Sequence, residues 1–203
     1  MKRNIVFDLG NVLIDYNPGR IVNSVFSKPV EQALMLKEVF QSEGWKRLDQ
    51  GLITFEEHYQ DLASRFPQYV EKIDWLLTTW YKDQPPIPGM YELLVNVKKA
   101  GYPLYLLSNA NTRYYAFETY KDIFKLFSGT TFSSELHLLK PQKEIFVRFC
   151  QIHNLVPEEC LFIDDQLENV QGARNAGWQA HQFVGVDELR DFLENSLRIH
   201  LTE

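Results

Sequence analysis

Ile5-Val6-Phe7-Asp8-Leu9-Gly10-Asn11-Val12 opens as an apolar run and passes straight into a carboxylate, a glycine and an amide. A short apolar run of this kind reads as a buried strand, and a charge at its end is costly to bury unless it is used. Further runs bounded by turn residues recur along the chain. With the first taken as Asn4–Val12, strands are expected over Tyr102–Leu107, Thr130–Leu136, Cys160–Ile163 and Trp178–Phe183. Helical patterns fall between them. Pro88-Gly89 opens Tyr91, Leu93, Leu94 and Val97, which Gly101 stops; Pro141 opens Ile145, Phe146, Phe149 and Ile152; Glu168 to Ala176 is closed by Gly177. Strand and helix in alternation predict an α/β fold: a parallel Rossmann-like sheet with helices on both faces.

The stretch from Tyr16 to Gln84 breaks the alternation and is too long for a structureless loop, since such loops beyond about 15 residues are uncommon. Its signals are helical. Val30–Phe40 carries Ala33, Leu34, Leu36 and Val39; Thr54 and Glu57 form a capping box ahead of Tyr59, Leu62 and Ala63; Val70–Tyr81 carries Ile73, Leu76, Leu77 and Trp80. The expected organisation is a core of residues 1–15 and 86–203 with a helical domain, 16–85, inserted after the first strand. Gln84-Pro85-Pro86-Ile87-Pro88 makes a stiff joint.

Composition narrows the class. Over 203 residues, 45% hydrophobic and 14% aromatic side chains exclude disorder, collagen and coiled coil. A formal charge of -6 gives no general attraction for nucleic acid or anionic lipid, so an anionic ligand needs a local site. Lys2 and Arg3 precede an apolar run that Asp8 interrupts, which fails as a secretory leader, and no stretch approaches a membrane span. A cytoplasmic location is expected, with neither nucleic acid nor membrane as partner. Cys150 and Cys160 lack the companions of a zinc site, and in a reducing compartment two buried thiols are expected. The histidines 58, 137, 153, 181 and 200 show no pair spaced as ligands.

Chemistry gathers at the strand ends. Asp8 alone could be a helix cap or ion-pair partner, but Tyr105-Leu106-Leu107 ends in Ser108-Asn109 and Leu161-Phe162-Ile163 ends in Asp164-Asp165. Lys140-Pro141 sits at a loop-to-helix junction between them. In a parallel sheet these groups project at one edge and converge on one crevice. Carboxylates from two strand ends suit a hard divalent cation such as Mg²⁺, and a hydroxyl, backbone amides and an ammonium suit phosphoryl oxygens. Trp45, Lys46 and Arg47 in the insertion fit packing and solvated surface better than a site.

The ordered set of Asp8 in its apolar-Asp-x-Gly-Asn-Val segment, Ser108, Lys140-Pro141 and Asp164-Asp165 resembles the four motifs of the haloacid dehalogenase-like (HAD) hydrolases, across nearly the whole chain. The closest resemblance is to small bacterial sugar phosphatases of that superfamily with an α-helical cap. It implies Asp8 as nucleophile and metal ligand, Gly10 as a carbonyl ligand, Asp164 as a further ligand and Asp165 in the outer coordination shell of Mg²⁺. It implies Ser108 and Asn109 as phosphoryl binders and Lys140 as the bridge between nucleophile and phosphate. The implied partner is a small phosphorylated molecule.

The chain departs from the resemblance at Gly10, where most such phosphatases carry a second aspartate as general acid. Glycine offers no proton, so water or a cap residue supplies it, or the leaving group needs none, which favours a sugar 1-phosphate. A 2-haloacid dehalogenase shares the fold and the nucleophile but needs no metal, leaving Asp164 and Asp165 uncompensated. A regulatory phospho-ligand binder without turnover is the third reading.

Overall fold

The computed structural model describes residues 3–198; Lys2 and His200 lie outside the described residues. Five strands, β1 (Asn4–Phe7), β2 (Leu104–Ser108), β3 (Gly129–Phe132), β4 (Cys160–Asp164) and β5 (Gln179–Gln182), form one sheet in the order β3-β2-β1-β4-β5. Every neighbouring pair is parallel. The chain leaves β1 toward β2 and β3, then crosses to β4 and β5 on the other side, so β1 lies at the point where strand order reverses. A crevice opens beyond the carboxyl ends of the strands at such a point.

Two expected strands are shorter than their apolar runs. The first stops at Phe7 because the next residues curl: the amides of Leu13 and Ile14 both donate to the Leu9 carbonyl, at 2.8 and 3.1 Å, and Asn11 adopts φ 55°. The run Thr130–Leu136 is half helix. The Glu135 carboxylate accepts the Phe132 amide at 2.7 Å, ending the strand and capping a helical turn over the next four residues.

Helices α1 (Pro18–Asn23), α2 (Pro29–Met35), α3 (Glu43–Asp49), α4 (Phe55–Arg65) and α5 (Val70–Thr79) lie between β1 and α6 (Met90–Lys99). The expected capping box is present at α4, where Thr54 Oγ1 accepts the Glu57 amide at 3.1 Å and the Glu57 carboxylate accepts the Thr54 amide at 2.7 Å. Helix α2 runs on as a π-helical turn to Phe40. In the core, α7 (Lys121–Phe124) precedes β3, α8 (Ser133–Leu136) and α9 (Lys143–His153) precede β4, α10 (Leu167–Asn175) precedes β5 and α11 (Val186–Leu197) follows it.

Alternating strand residues serve two layers, as the pleat requires. Ile5, Phe7, Leu104, Leu106 and Ile163 pack with Leu94 of α6 and Leu193 of α11 in one, and Val6, Leu107 and Phe162 pack with Phe146 and Phe149 of α9 in the other. Cys150 and Cys160 are buried in the second layer.

Entry to and exit from the insertion are tied together. The Asp15 amide donates to Pro85 O at 2.8 Å and the Ile87 amide to Leu13 O at 2.9 Å. An aromatic seam then joins the inserted helices to the segment after β2. Trp80 packs edge-on against Trp45 at 5.3 Å and Tyr114 at 5.3 Å, and Tyr81 stacks on Phe117 at 3.8 Å. Arg113 lies 3.6 Å over the Phe55 ring while its Nη1 donates to Leu77 O at 3.2 Å.

Candidate active site

The residues singled out at the strand ends come together. Asp8 follows β1, Ser108 ends β2, Asp164 ends β4 and Lys140 reaches in from the loop before α9; their exposures are 7%, 4%, 0% and 4%. Lys140 Nζ lies 2.8 Å from Asp8 Oδ1 and donates to Asp164 Oδ2 at 2.6 Å. Burial alone would lower the Lys140 pKa, but Asp164 and Asp8 beside it raise it above the usual lysine value. Burial pushes the Asp8 carboxyl up to about 6, opposed by Lys140 and the Ser108 hydroxyl and assisted by Asp164. Asp165 is also raised, chiefly by burial.

Local structure fixes these groups. Asp164 Oδ1 accepts the Gln166 amide at 2.8 Å, and Asn169 Nδ2 from α10 reaches both Asp164 oxygens at 3.0 and 3.1 Å. Asn109 has a different geometry from that of a free phosphoryl donor. Its Oδ1 accepts the Lys140 amide at 2.8 Å and its Nδ2 donates to Lys140 O at 3.0 Å, so its side chain clasps the Lys140 main chain.

Asp8, Asp164 and Asp165 each place a carboxylate oxygen within 4.8 Å of the others. Three carboxylates face one ammonium, an excess of two negative charges in a buried pocket. The all-oxygen donors and this charge fit a hard divalent cation such as Mg²⁺, which would also favour the ionised form of Asp8. Among the described residues no other cluster of this kind occurs. His58 is instead a packed side chain, its Nε2 3.2 Å from Val39 O and its pKa lowered by burial.

A cavity of about 320 Å³ opens above these groups. Gly10 and Asn109 line it with Asp8, Ser108, Lys140 and Asp165, and its roof comes from the insertion. There Trp45, read from sequence as packing, lines the cavity while remaining largely buried, whereas Lys46 and Arg47 are exposed. Sequence reasoning missed Tyr16, Asp49 and Tyr114, which also line it. The one sequence signal for Asp49 is an acid at a helix end just before Gly51.

Against known proteins, the model of the haloacid dehalogenase-like hydrolase family matches residues 2–177. The chain belongs to that family. It is similar to D-ribitol-5-phosphate phosphatase of Bacteroides thetaiotaomicron, 25% identical over 194 residues that span 90% of this chain and 92% of that protein. It also resembles a HAD family enzyme of the same organism solved with magnesium and inorganic phosphate, at TM-score 0.70, 23% identity and coverage of 90% and 94%. A structure described as a dehalogenase superposes with TM-score 0.72 at 19% identity, covering 95% of this chain and 97% of that one. At these identities the structural likenesses speak for the α/β fold with its helical insertion. No helix among the described residues is long and apolar enough to cross a membrane.

Proposed function

We propose that this chain is a Mg²⁺-dependent phosphomonoester hydrolase that acts on a small phosphorylated molecule of the sugar phosphate class through an aspartyl-phosphate at Asp8. The observation that carries the reading is the Asp8, Asp164, Asp165 trio beside Lys140. The same trio argues against a dehalogenase, which uses no metal and would leave three carboxylates with Lys140 alone to balance them. The similar ribitol phosphate phosphatase supports the substrate class.

In this reading Asp8, Asp164 and the Gly10 carbonyl would hold Mg²⁺, with Asp165 in its outer coordination shell; when bound, the ion neutralises charge on the phosphoryl oxygens. The phosphate sits over Asp8, with Ser108 Oγ and Lys140 Nζ donating to its oxygens. Asn109 contributes by keeping Lys140 in place. Asp8 attacks phosphorus, the ester bond to the alcohol breaks, and water later releases phosphate from Asp8. The helices of residues 16–85 form the cap over the core of 1–15 and 86–203, excluding bulk water.

Phosphate release from an aryl phosphate should require Mg²⁺ and cease on chelation, and Asp8→Asn should abolish it while leaving the circular dichroism spectrum unchanged. Full activity in chelator, or Asp8→Asn within threefold of wild type, would overturn the reading.

A further inference from the structure

Asp49 ends α3 and lines the cavity together with Asp8, Ser108 and Lys140. Its main chain is clamped to the core turn that follows β3, distant in the chain. Ser133 Oγ donates to the Asp49 carbonyl. Gln50 Nε2 donates to His137 O at 2.9 Å, and His137 Nδ1 meets Gln50 O at 3.1 Å. Gly51, at φ 69°, lies so near Ser134 that an added Cβ would stand 2.4 Å from its carbonyl oxygen. The clamp fixes the main chain from which the Asp49 side chain reaches the cavity wall.

The surroundings of Asp49 favour the protonated acid. Burial raises its pKa well above the usual carboxylate range, against a smaller lowering by Asn111. No hydrogen bond of ordinary geometry joins the two, for Asn111 Nδ2 is buried without a partner. The C-terminal carbonyls of α3 add negative potential. Lys140, which could have stabilised the carboxylate, is paired with Asp8 and Asp164.

The other titratable groups lining the cavity, among the described residues, are accounted for. Asp8 is the attacking group, Asp165 adjoins the cation site and Lys140 is doubly paired. Tyr16 and Tyr114 are raised above the ordinary tyrosine value, mainly by burial, and are too weakly acidic to exchange protons readily. Asp49 remains.

We propose that Asp49 is the proton donor to the departing alcohol, filling from the cap the role that Gly10 cannot. The proposal rests on the phosphatase reading. As Asp8 Oδ attacks, the phosphorus–oxygen ester bond breaks, its electron pair goes to the alcohol oxygen, and that oxygen takes the proton of the Asp49 carboxyl. The products are the aspartyl-phosphate, the free alcohol and the Asp49 carboxylate. Asp49 then accepts a proton from the attacking water as the acyl phosphate opens, returning Asp8 to the carboxylate and releasing inorganic phosphate. With a donor in place the substrate needs no activated leaving group. The substrate class widens from sugar 1-phosphates to phosphate esters of ordinary alcohols, such as the terminal hydroxyl of a polyol.

The test compares wild type, Asp49→Asn and Asp49→Glu with Mg²⁺ on 2,4-dinitrophenyl phosphate, 4-nitrophenyl phosphate and glycerol 3-phosphate. For Asp49→Asn, kcat/KM should fall about 10²- to 10⁴-fold on glycerol 3-phosphate and less than about tenfold on the dinitrophenyl ester, which leaves without a proton. Asp49→Glu should recover at least about tenfold of the alkyl activity over Asn. The alkaline loss of wild-type kcat/KM on glycerol 3-phosphate should vanish in Asp49→Asn. The groups facing Asp49 in that profile are Tyr16 and Tyr114, with Asp8, Asp165 and Lys140 across the cavity; His137 of the neighbouring core turn is engaged by the Gln50 carbonyl. Equal losses on all three esters, or an unchanged pH profile, would overturn the proposal while leaving the phosphatase reading intact. A wild-type protein that hydrolyses none of them would overturn both.

Discussion

Asn109 and Lys140 hold each other by two opposed hydrogen bonds, the Lys140 amide to Asn109 Oδ1 at 2.8 Å and Asn109 Nδ2 to the Lys140 carbonyl at 3.0 Å. The pair anchors the lysine main chain to the end of β2, so the ammonium reaches Asp8 from a fixed base. Asn109→Ala removes both bonds and leaves two main-chain groups short of partners, at a cost of about 1–3 kcal/mol. Because the consequence falls on Lys140, phosphate release should drop by about 10- to 100-fold, the range seen for groups that orient a directly acting side chain. Asn109→Asp keeps the acceptor and loses the donor, so it should be impaired too. An Asn109→Ala protein with wild-type turnover would show that Lys140 is positioned by something else.

Gly172 of α10 stands against the residue after Lys140. An alanine Cβ there would lie 2.5 Å from the Pro141 carbonyl oxygen and 2.8 Å from Pro141 Cβ, so main chain must shift. Alanine improves helix propensity by up to about 1 kcal/mol, but overpacking of this kind costs about 1–3 kcal/mol, and the clash wins. Gly172→Ala should lower the melting temperature and, by displacing the lysine loop, reduce kcat/KM by more than about tenfold. Scanning calorimetry and steady-state assays on one preparation read both. Unchanged kcat/KM would mean that the loop yields without moving Lys140.

Asp49 also carries a stability signature. Its folded-state pKa is raised above the unfolded value of 3.8, so the folded form binds the proton more tightly. Stability from this group is therefore present below the unfolded pKa and is lost as pH rises from there toward the folded value. Asp49→Asn mimics the protonated acid at every pH. Its melting temperature should match wild type most closely near pH 3 and exceed it increasingly toward neutrality, while its activity on alkyl phosphates falls. A gap that stays constant from pH 3 to 7 would refute the shift.

Much of this site could be read in the chain because a buried parallel strand leaves few uses for a charge at its end. Asp8, Ser108 and Asp164 are legible for that reason, and Lys140 because it stands at a loop-to-helix junction between two of them. Asn109 was legible in place but not in action, since nothing local says that its amide faces a main chain on the loop before α9. The strand expected through Leu136 overran because Glu135 reaches back to the Phe132 amide, a side-chain effect that an apolar run hides. Asp49 was illegible for a deeper reason. Helix α3 buries only Trp45 and Leu48, too little for a periodic signal, and what places its last residue is docking on Ser133, Ser134 and His137, far away in the chain.

The aromatic seam makes the roof and the core interdependent. Trp45, Phe55, Trp80 and Tyr81 on the inserted helices interlock with Arg113, Tyr114 and Phe117 on the segment after β2. The roof is therefore not a portable module. A chimera that transplants the inserted helices alone onto another sheet would leave half of this interlock behind and expose the other half to water, so the roof and the post-β2 segment have to be moved together.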